Sequence, residues 1–247
     1  MVQQLQPTTD DIFYPESDGK PLADNTLQFE LITTIKYGLE VQFKDNPHVF
    51  IAGDLLWYPV VGQPKINQAP DVMVVFGRPK GHRRSYKTWE ENNLNPQVTF
   101  EIASEGNTIK ELEEKKRHFY QDHGIEEYYL YDPDRAKLKG WLRNHDKLEP
   151  IPQMQGWVSP RLEVTFELVE GELVLYYPGG ERFATYLEMV EQKNVAQQQV
   201  EQERQRAQQE QQRAQKAEQA LEEERNRMEA LLEQLKAKGI NPEEFDL

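Results

Sequence analysis

The chain of 247 residues contains no cysteine, which excludes disulfide cross-links and cysteine-ligated zinc. No stretch approaches the roughly 18 apolar residues of a membrane span, so no association with a membrane is expected. The opening Met1-Val2-Gln3-Gln4-Leu5-Gln6-Pro7 lacks a basic start and an apolar core and does not read as a signal peptide. A cytoplasmic protein is the expectation. Positive charge is also scarce: 29 Lys and Arg stand against 43 Asp and Glu, a formal net charge of −14. From Glu191 onward there are 13 acidic and 9 basic residues, so most of the excess lies in the body of the chain. Any contact with a polyanion must therefore come from a local basic patch.

Several familiar site motifs are missing too. There is no G-x-S-x-G nucleophile elbow, no Walker loop and no dinucleotide fingerprint. Of the five histidines, only His118 and His123 lie close together, and their i, i+5 spacing does not suit one helix face.

What is present is an alternation of helix and strand patterns. Residues 1–24 are polar and proline-bearing, which predicts an extended N-terminal arm. Leu27, Leu31, Ile35, Leu39 and Phe43 recur every four residues and predict an amphipathic helix over 26–43. Strands are expected at 49–58, 72–76, 97–103 and 127–131, with a helix at 109–120 that ends near Gly124. The continuous apolar run Val72 to Phe76 predicts a strand buried on both faces. Residues 137–177 hold alternating runs joined by turns such as Glu170-Gly171, which predict further antiparallel strands. The body, residues 25–190, is thus an α/β domain with a mixed sheet, flanking helices and extra antiparallel strands.

The composition then changes. Residues 191–238 are dominated by Glu, Gln, Arg, Lys and Ala and contain neither Pro nor Gly, which predicts one long helix followed by a short tail at 239–247. Val200, Ala207, Ala214, Leu221, Met228 and Leu235 form an unbroken heptad column. The second column carries Glu203, Glu210 and Glu224, so a coiled coil would be strongest from Leu221 to Leu235. The functional expectation is a homodimer through this helix, and a solvated single helix is the alternative.

Three residues carry chemistry. Asp71 follows Pro70 at the mouth of the buried strand; alone it could be a turn acid binding backbone N–H groups. Glu101 is the one charge in Val98-Thr99-Phe100-Glu101-Ile102-Ala103, where ionisation is costly without a partner or a metal. Lys116 falls four residues after Leu112 and three before Phe119, on the apolar stripe of its helix, where it must either snorkel to water or meet a carboxylate. Two carboxylates at strand edges with a lysine nearby can hold a divalent cation and steady an attacking water. The loop between 77 and 95 adds Arg78, Lys80, Arg83, Arg84 and Lys87, with Tyr86 and Trp89 interleaved. Guanidinium and ammonium groups among aromatics suit nucleic acid. Because this loop leaves the strand that Asp71 enters, it is expected to overlie the site.

The ordered set Ala69-Pro70-Asp71-Val72-Met73-Val74-Val75, Phe100-Glu101-Ile102-Ala103-Ser104, Lys116 with Tyr120, Gly124 and Glu127-Tyr128-Tyr129-Leu130-Tyr131-Asp132-Pro133 resembles the Uma-type (Uma-two) restriction endonuclease family, within the PD-(D/E)XK nuclease superfamily. The resemblance implies a restriction-endonuclease-like fold over residues 25–190 and Mg²⁺- (or Mn²⁺-) dependent hydrolysis of DNA phosphodiester bonds. It implies Asp71 and Glu101 as metal ligands and Lys116 as the catalytic lysine. The superfamily pattern would place that lysine at Ala103, and Lys116 on the following helix replaces it. An additional acid on the first helix is also implied: Glu30 is one candidate ligand, while Glu40 and Asp54 fit equally well. The competing expectation is a nuclease-like body without activity, serving as a binding or scaffold module assembled through its C-terminal helix.

Overall fold

A computed structural model of the chain describes residues 12–19, 21–104 and 109–238. The first part of the expected arm (1–11) and the expected tail (239–247) lie outside the described residues. The chain divides into two units, one ending at Leu187 and the other beginning at Glu188.

The first unit is built on a mixed sheet of six strands in the order β1 (Val49–Gly53), β3 (Val72–Phe76), β5 (Val98–Ile102), β6 (Glu127–Asp132), β7 (Lys137–Asn144) and β8 (Lys147–Pro150). All neighbours are antiparallel except β5 and β6. That parallel pair needs a crossover, which the helical segment between them supplies. Two short strands, β2 (Trp57–Tyr58) and β4 (Tyr86–Lys87), form a separate parallel pair. Strands β9 (Trp157–Val158), β10 (Thr165–Val169) and β11 (Glu172–Tyr176) make a small antiparallel sheet.

Each face of the large sheet is covered. On one face, helix α1 (Thr26–Gln42) and the small sheet pack Ile32, Ile35, Leu39, Leu162 and Phe166 against Val72, Val74, Phe100 and Ile102. On the other face, Leu112, Tyr120, Trp57 and Tyr86 pack against Met73, Val75, Tyr128 and Leu130. This double cover is why the run Val72–Val75 is apolar throughout and fully buried. Gly38 of α1 is required by the close approach of Phe183, since a Cβ there would stand 2.0 Å from the ring.

Three local features depart from the periodic patterns. Helix α1 buries Gln28, Ile32, Ile35 and Leu39 and leaves Leu27 50% exposed. A strict four-residue repeat gains about 40° per step on a helix of 3.6 residues per turn, so it cannot keep to one face. The expected strand 49–58 is broken at Asp54, whose φ of 47° ends β1 and turns the chain away toward β2. The helical crossover is likewise not uniform. It runs as α2 (Ile109–Glu111), a π-helical turn (Leu112–Lys116) and α3 (Arg117–Asp122), a widening frequent at functional sites.

The second unit is almost wholly the body of α4 (Tyr186–Ala237), a 52-residue helix with no buried residue. No helix among the described residues is long and apolar enough to cross a membrane.

Candidate functional site

Strand register assembles the site. Gly53 pairs with Val72, and Val72 with Phe100. Moving one residue along each strand brings Asp54, Asp71 and Glu101 into one transverse row at one end of the sheet. Strand spacing sets such neighbours about 5 Å apart. Alternation puts all three on one face: Gly53, Val72, Phe100 and Ile102 face α1, so the residues next to them face the crossover helix.

Lys116 comes down from that helix. Its Nζ donates to Glu101 Oε2 at 2.6 Å, and the Tyr120 hydroxyl donates to the other oxygen, Oε1. Lys116 and Tyr120 are one helical turn apart, so together they clamp both oxygens of a carboxylate that is only 1% exposed. The Tyr120 ring is fixed by stacking on Trp57, whose indole N–H donates to Thr88 Oγ1 at 2.9 Å. Asp71 is held differently: its Oδ2 accepts the Ile102 N–H at 2.6 Å. The Ile102 carbonyl in turn accepts from Gln28 Nε2 at 3.1 Å, which explains a buried glutamine on α1. The Asp54 N–H donates to the Pro70 carbonyl at 3.1 Å, tying the ends of β1 and β3 together.

The electrostatics follow from crowding acids in a place with little water. Burial, then the charge of Glu101, push Asp71 up to about 8, against the pull of Lys116 and the Ile102 N–H. Burial and the nearby Asp18 of the N-terminal segment raise Asp54 to about 6. For Lys116, burial works against the charge, but Glu101, Asp71 and Asp54 outweigh it and the net direction is upward. Lys116 therefore stays an ammonium. Tyr120 is raised well above its ordinary value by burial and by Glu101, so it stays a hydroxyl donor.

Among the described residues, no three His, Cys, Asp or Glu side chains converge as a ready-made metal cage. Asp54, Asp71 and Glu101 form a line, and Glu101 is turned to Lys116 and Tyr120. Their chemistry nevertheless fits a hard divalent cation, since the donors are carboxylate oxygens and burial together with neighbouring acids disfavours ionisation of Asp54 and Asp71, a cost that a cation would offset.

Of the three acids considered for the additional position, Asp54 is the one in the row. Glu30 lies on α1, across the sheet, in a cavity it lines with Tyr131, Arg182 and Phe183. Glu40 pairs with Lys80 at 2.9 Å.

The basic loop starts away from the acid row and returns beside β2, where Tyr86 and Lys87 pair with Trp57 and Tyr58. It leaves the far end of β3, where the Gly77 and Lys80 N–H groups donate to the His48 and Pro47 carbonyls, whereas Asp71 sits at the near end. Five residues of strand, roughly 17 Å, separate the two. Arg78 and Arg83 both pair with Glu91 at 2.6 Å, and the Arg83 guanidinium lies 3.8 Å from the Phe50 ring centroid. Lys87 pairs with Glu90 at 3.0 Å, and Arg84, 84% exposed in its side chain, pairs with Glu16 at 2.7 Å. Helix α4 leaves Val200, Leu221 and Met228 of its heptad column exposed.

Sequence reasoning did not assign a role to Tyr120, although its i+4 spacing from Lys116 was the available signal. The row position of Asp54 needed the register, which no local pattern contains.

Comparison with known proteins adds a family. A family model described as "Uma2: Putative restriction endonuclease" matches residues 16–173, from the N-terminal segment to β11, and leaves α4 outside. Comparison with curated proteins gives no match. Among solved structures, the chain is similar to a "putative nuclease belonging to DUF820" from Anabaena variabilis ATCC 29413. The identity is 15% and the TM-score 0.45, over 64% of this chain and 92% of that one.

Proposed function

Because the chain belongs to the Uma2 family, whose description is putative restriction endonuclease, we propose that it is a metal-dependent endonuclease hydrolysing DNA phosphodiester bonds at the Asp54–Asp71–Glu101 row. The observation that carries this reading is the convergence of a register-aligned row of acids with a half-buried, charged lysine 2.6 Å from the last of them. Asp71, Glu101 and Asp54 would hold the cation, of the Mg²⁺ or Mn²⁺ class, which supplies Lewis-acid activation of water and offsets phosphate charge.

The chain's own residues do the rest. Ile102 N–H fixes one oxygen of Asp71 and leaves the other for a ligand. Tyr120 sets the rotamer of Glu101. Lys116 orients the attacking water through its N–H donors and stabilises negative charge developing on the phosphorane. The test is cleavage of supercoiled plasmid by the full chain and by Glu101→Gln, in Mg²⁺, Mn²⁺ or EDTA. Cation-dependent nicking by the wild type and a loss of at least about a hundredfold in the variant are expected. Cleavage that persists in EDTA, or equal cleavage by both proteins, sinks the assignment. No cleavage together with no Mg²⁺ or Mn²⁺ binding by calorimetry would leave a binding or scaffold module instead.

We also propose that α4 forms a homodimeric coiled coil, most tightly between Leu221 and Leu235. There Leu221, Met228, Leu231 and Leu232 are 69%, 58%, 58% and 37% exposed, an apolar stripe on an otherwise polar helix. Sedimentation of the full chain is expected to give a dimer, and a chain ending at residue 190 a monomer. An unchanged monomer in both would remove the coiled coil.

A further inference from the structure

The acid row does not stop at Glu101. Glu101 pairs with Leu130, and Leu130 pairs with Lys139 on the next strand. Lys139 thus stands on the same face as the acids, two strand spacings (about 10 Å) from Glu101. Two residues nearer the sheet end, and so on the same face, Asp132 pairs with Lys137, and the turn between them carries Arg135. All of these lie at the acid-row end of the sheet, because β6 is parallel to β5 and its C-terminal end lies beside that of β5. They surround a cavity of 260 Å³ floored by Leu130 and bounded by Asp132, Arg135, Lys137, Glu113 and Lys139. Three positive charges face two negative ones there. Arg135 pairs with the buried Asp132 at 3.1 Å and keeps 62% of its side chain exposed. Lys139 pairs with Glu113 from an exposed position. Among the described residues, Lys137 has no ion-pair partner, and it is exposed.

We propose that the β6–β7 hairpin is the phosphate-binding edge of this protein, with Arg135, Lys137 and Lys139 holding backbone phosphates that flank the one cut at the acid row. The inference rests on the endonuclease reading above and adds where the substrate backbone lies. Phosphates recur about every 3.4 Å of axis along each DNA strand and are further apart than that along the helical backbone, so a phosphate next to the scissile one falls within the span from Glu101 to Lys139. The acidic body requires such a local patch. In the 78–87 loop Arg78 and Arg83 share one glutamate and follow the opposite end of β3. The hairpin offers exposed cations beside the site and on the correct face.

The test is fluorescence-anisotropy titration of a labelled DNA duplex with the full chain in EDTA, repeated across a series of salt concentrations. Arg135→Ser and Lys137→Ser, both at exposed positions, are compared with wild type and with Arg84→Ser on the other loop. Each hairpin variant is expected to weaken binding and to reduce the slope of log affinity against log salt by about 1, the signature of one lost phosphate contact. Arg84→Ser is expected to keep the wild-type slope. Wild-type slopes in both hairpin variants overturn the proposal while leaving the endonuclease reading intact, and a reduced slope in Arg84→Ser alone moves the interface to the other loop. A wild type that binds no duplex overturns the hairpin proposal, and the endonuclease reading is then decided by the plasmid assay.

Discussion

Lys116→Met is expected to lower cation-dependent DNA cleavage by roughly a hundredfold to a thousandfold per folded molecule, the usual effect of removing one donor aimed at developing charge. The same change is expected to destabilise the metal-free protein. Glu101 is 1% exposed and would lose the ammonium that pairs with it, keeping only the Tyr120 hydroxyl. An uncompensated buried carboxylate costs about 3–5 kcal/mol, which in a domain of this size lowers the melting temperature by about 10 °C. The double variant Glu101→Gln/Lys116→Met removes both charges and separates the two effects. Its melting temperature is expected to recover toward wild type while its activity stays lost. Near-wild-type cleavage by Lys116→Met, corrected for folded fraction, would reduce Lys116 to a structural counter-ion.

Asp71→Asn is expected to make the metal-free protein more stable at pH 8, on the order of 5 kcal/mol. Folding raises the Asp71 carboxyl from its ordinary 3.8 to about 8, because burial and the Glu101 charge both disfavour ionisation. A carboxyl raised on folding binds its proton more tightly in the native state. The stability it contributes is fully present below about 4, and it is lost as pH rises through about 8. Asp54, raised to about 6, adds a steeper loss over the lower part of that window. The wild type in EDTA should therefore melt progressively lower from pH 5 to pH 8. An asparagine amide resembles the protonated acid and still accepts the Ile102 N–H, so the Asp71 share of the decline should vanish in the variant. Mg²⁺ should raise the melting temperature of the wild type at pH 8 by binding the folded state, and should do so much less in the variant. Calorimetric melts across pH check this. A variant that melts at or below wild type in EDTA at pH 8 would show that Asp71 is not held uncharged by its surroundings.

Much of the fold was legible because its signals are local. The apolar run Val72–Phe76 can only be a strand covered on both sides, and the crossover between β5 and β6 announced itself by helical spacing from Ile109 to Tyr120. The phase of that spacing also put Lys116 on the buried stripe, and the structure places its ammonium on Glu101. Where local signals weaken, tertiary contacts decide. The four-residue repeat of α1 suggested Leu27, yet Gln28 is the residue buried, because its amide has a carbonyl to meet on Ile102. The run 49–58 looked continuous, yet Asp54 adopts a positive φ that no β-propensity foretells.

The acid–acid–lysine set itself came from residue types and spacing: Asp71 and Glu101 at strand ends and Lys116 on a helical stripe are properties of the chain alone. The tertiary structure decided which acid completes the row and which carboxylates meet the cations of the 78–87 loop. Asp54 reaches Asp71 only through antiparallel register. Glu30 is carried to the opposite face because α1 packs there. The five basic residues of the 78–87 loop looked like a nucleic-acid patch in one dimension, but Glu91, Glu40, Glu90 and Glu16 meet them in three. Charge along a sequence says nothing about pairing, since a carboxylate forty residues away can be 2.9 Å distant. Which end of a strand a loop leaves is likewise set by topology, which brings the β6–β7 hairpin, with Arg135, Lys137 and Lys139, to the acid-row end of the sheet.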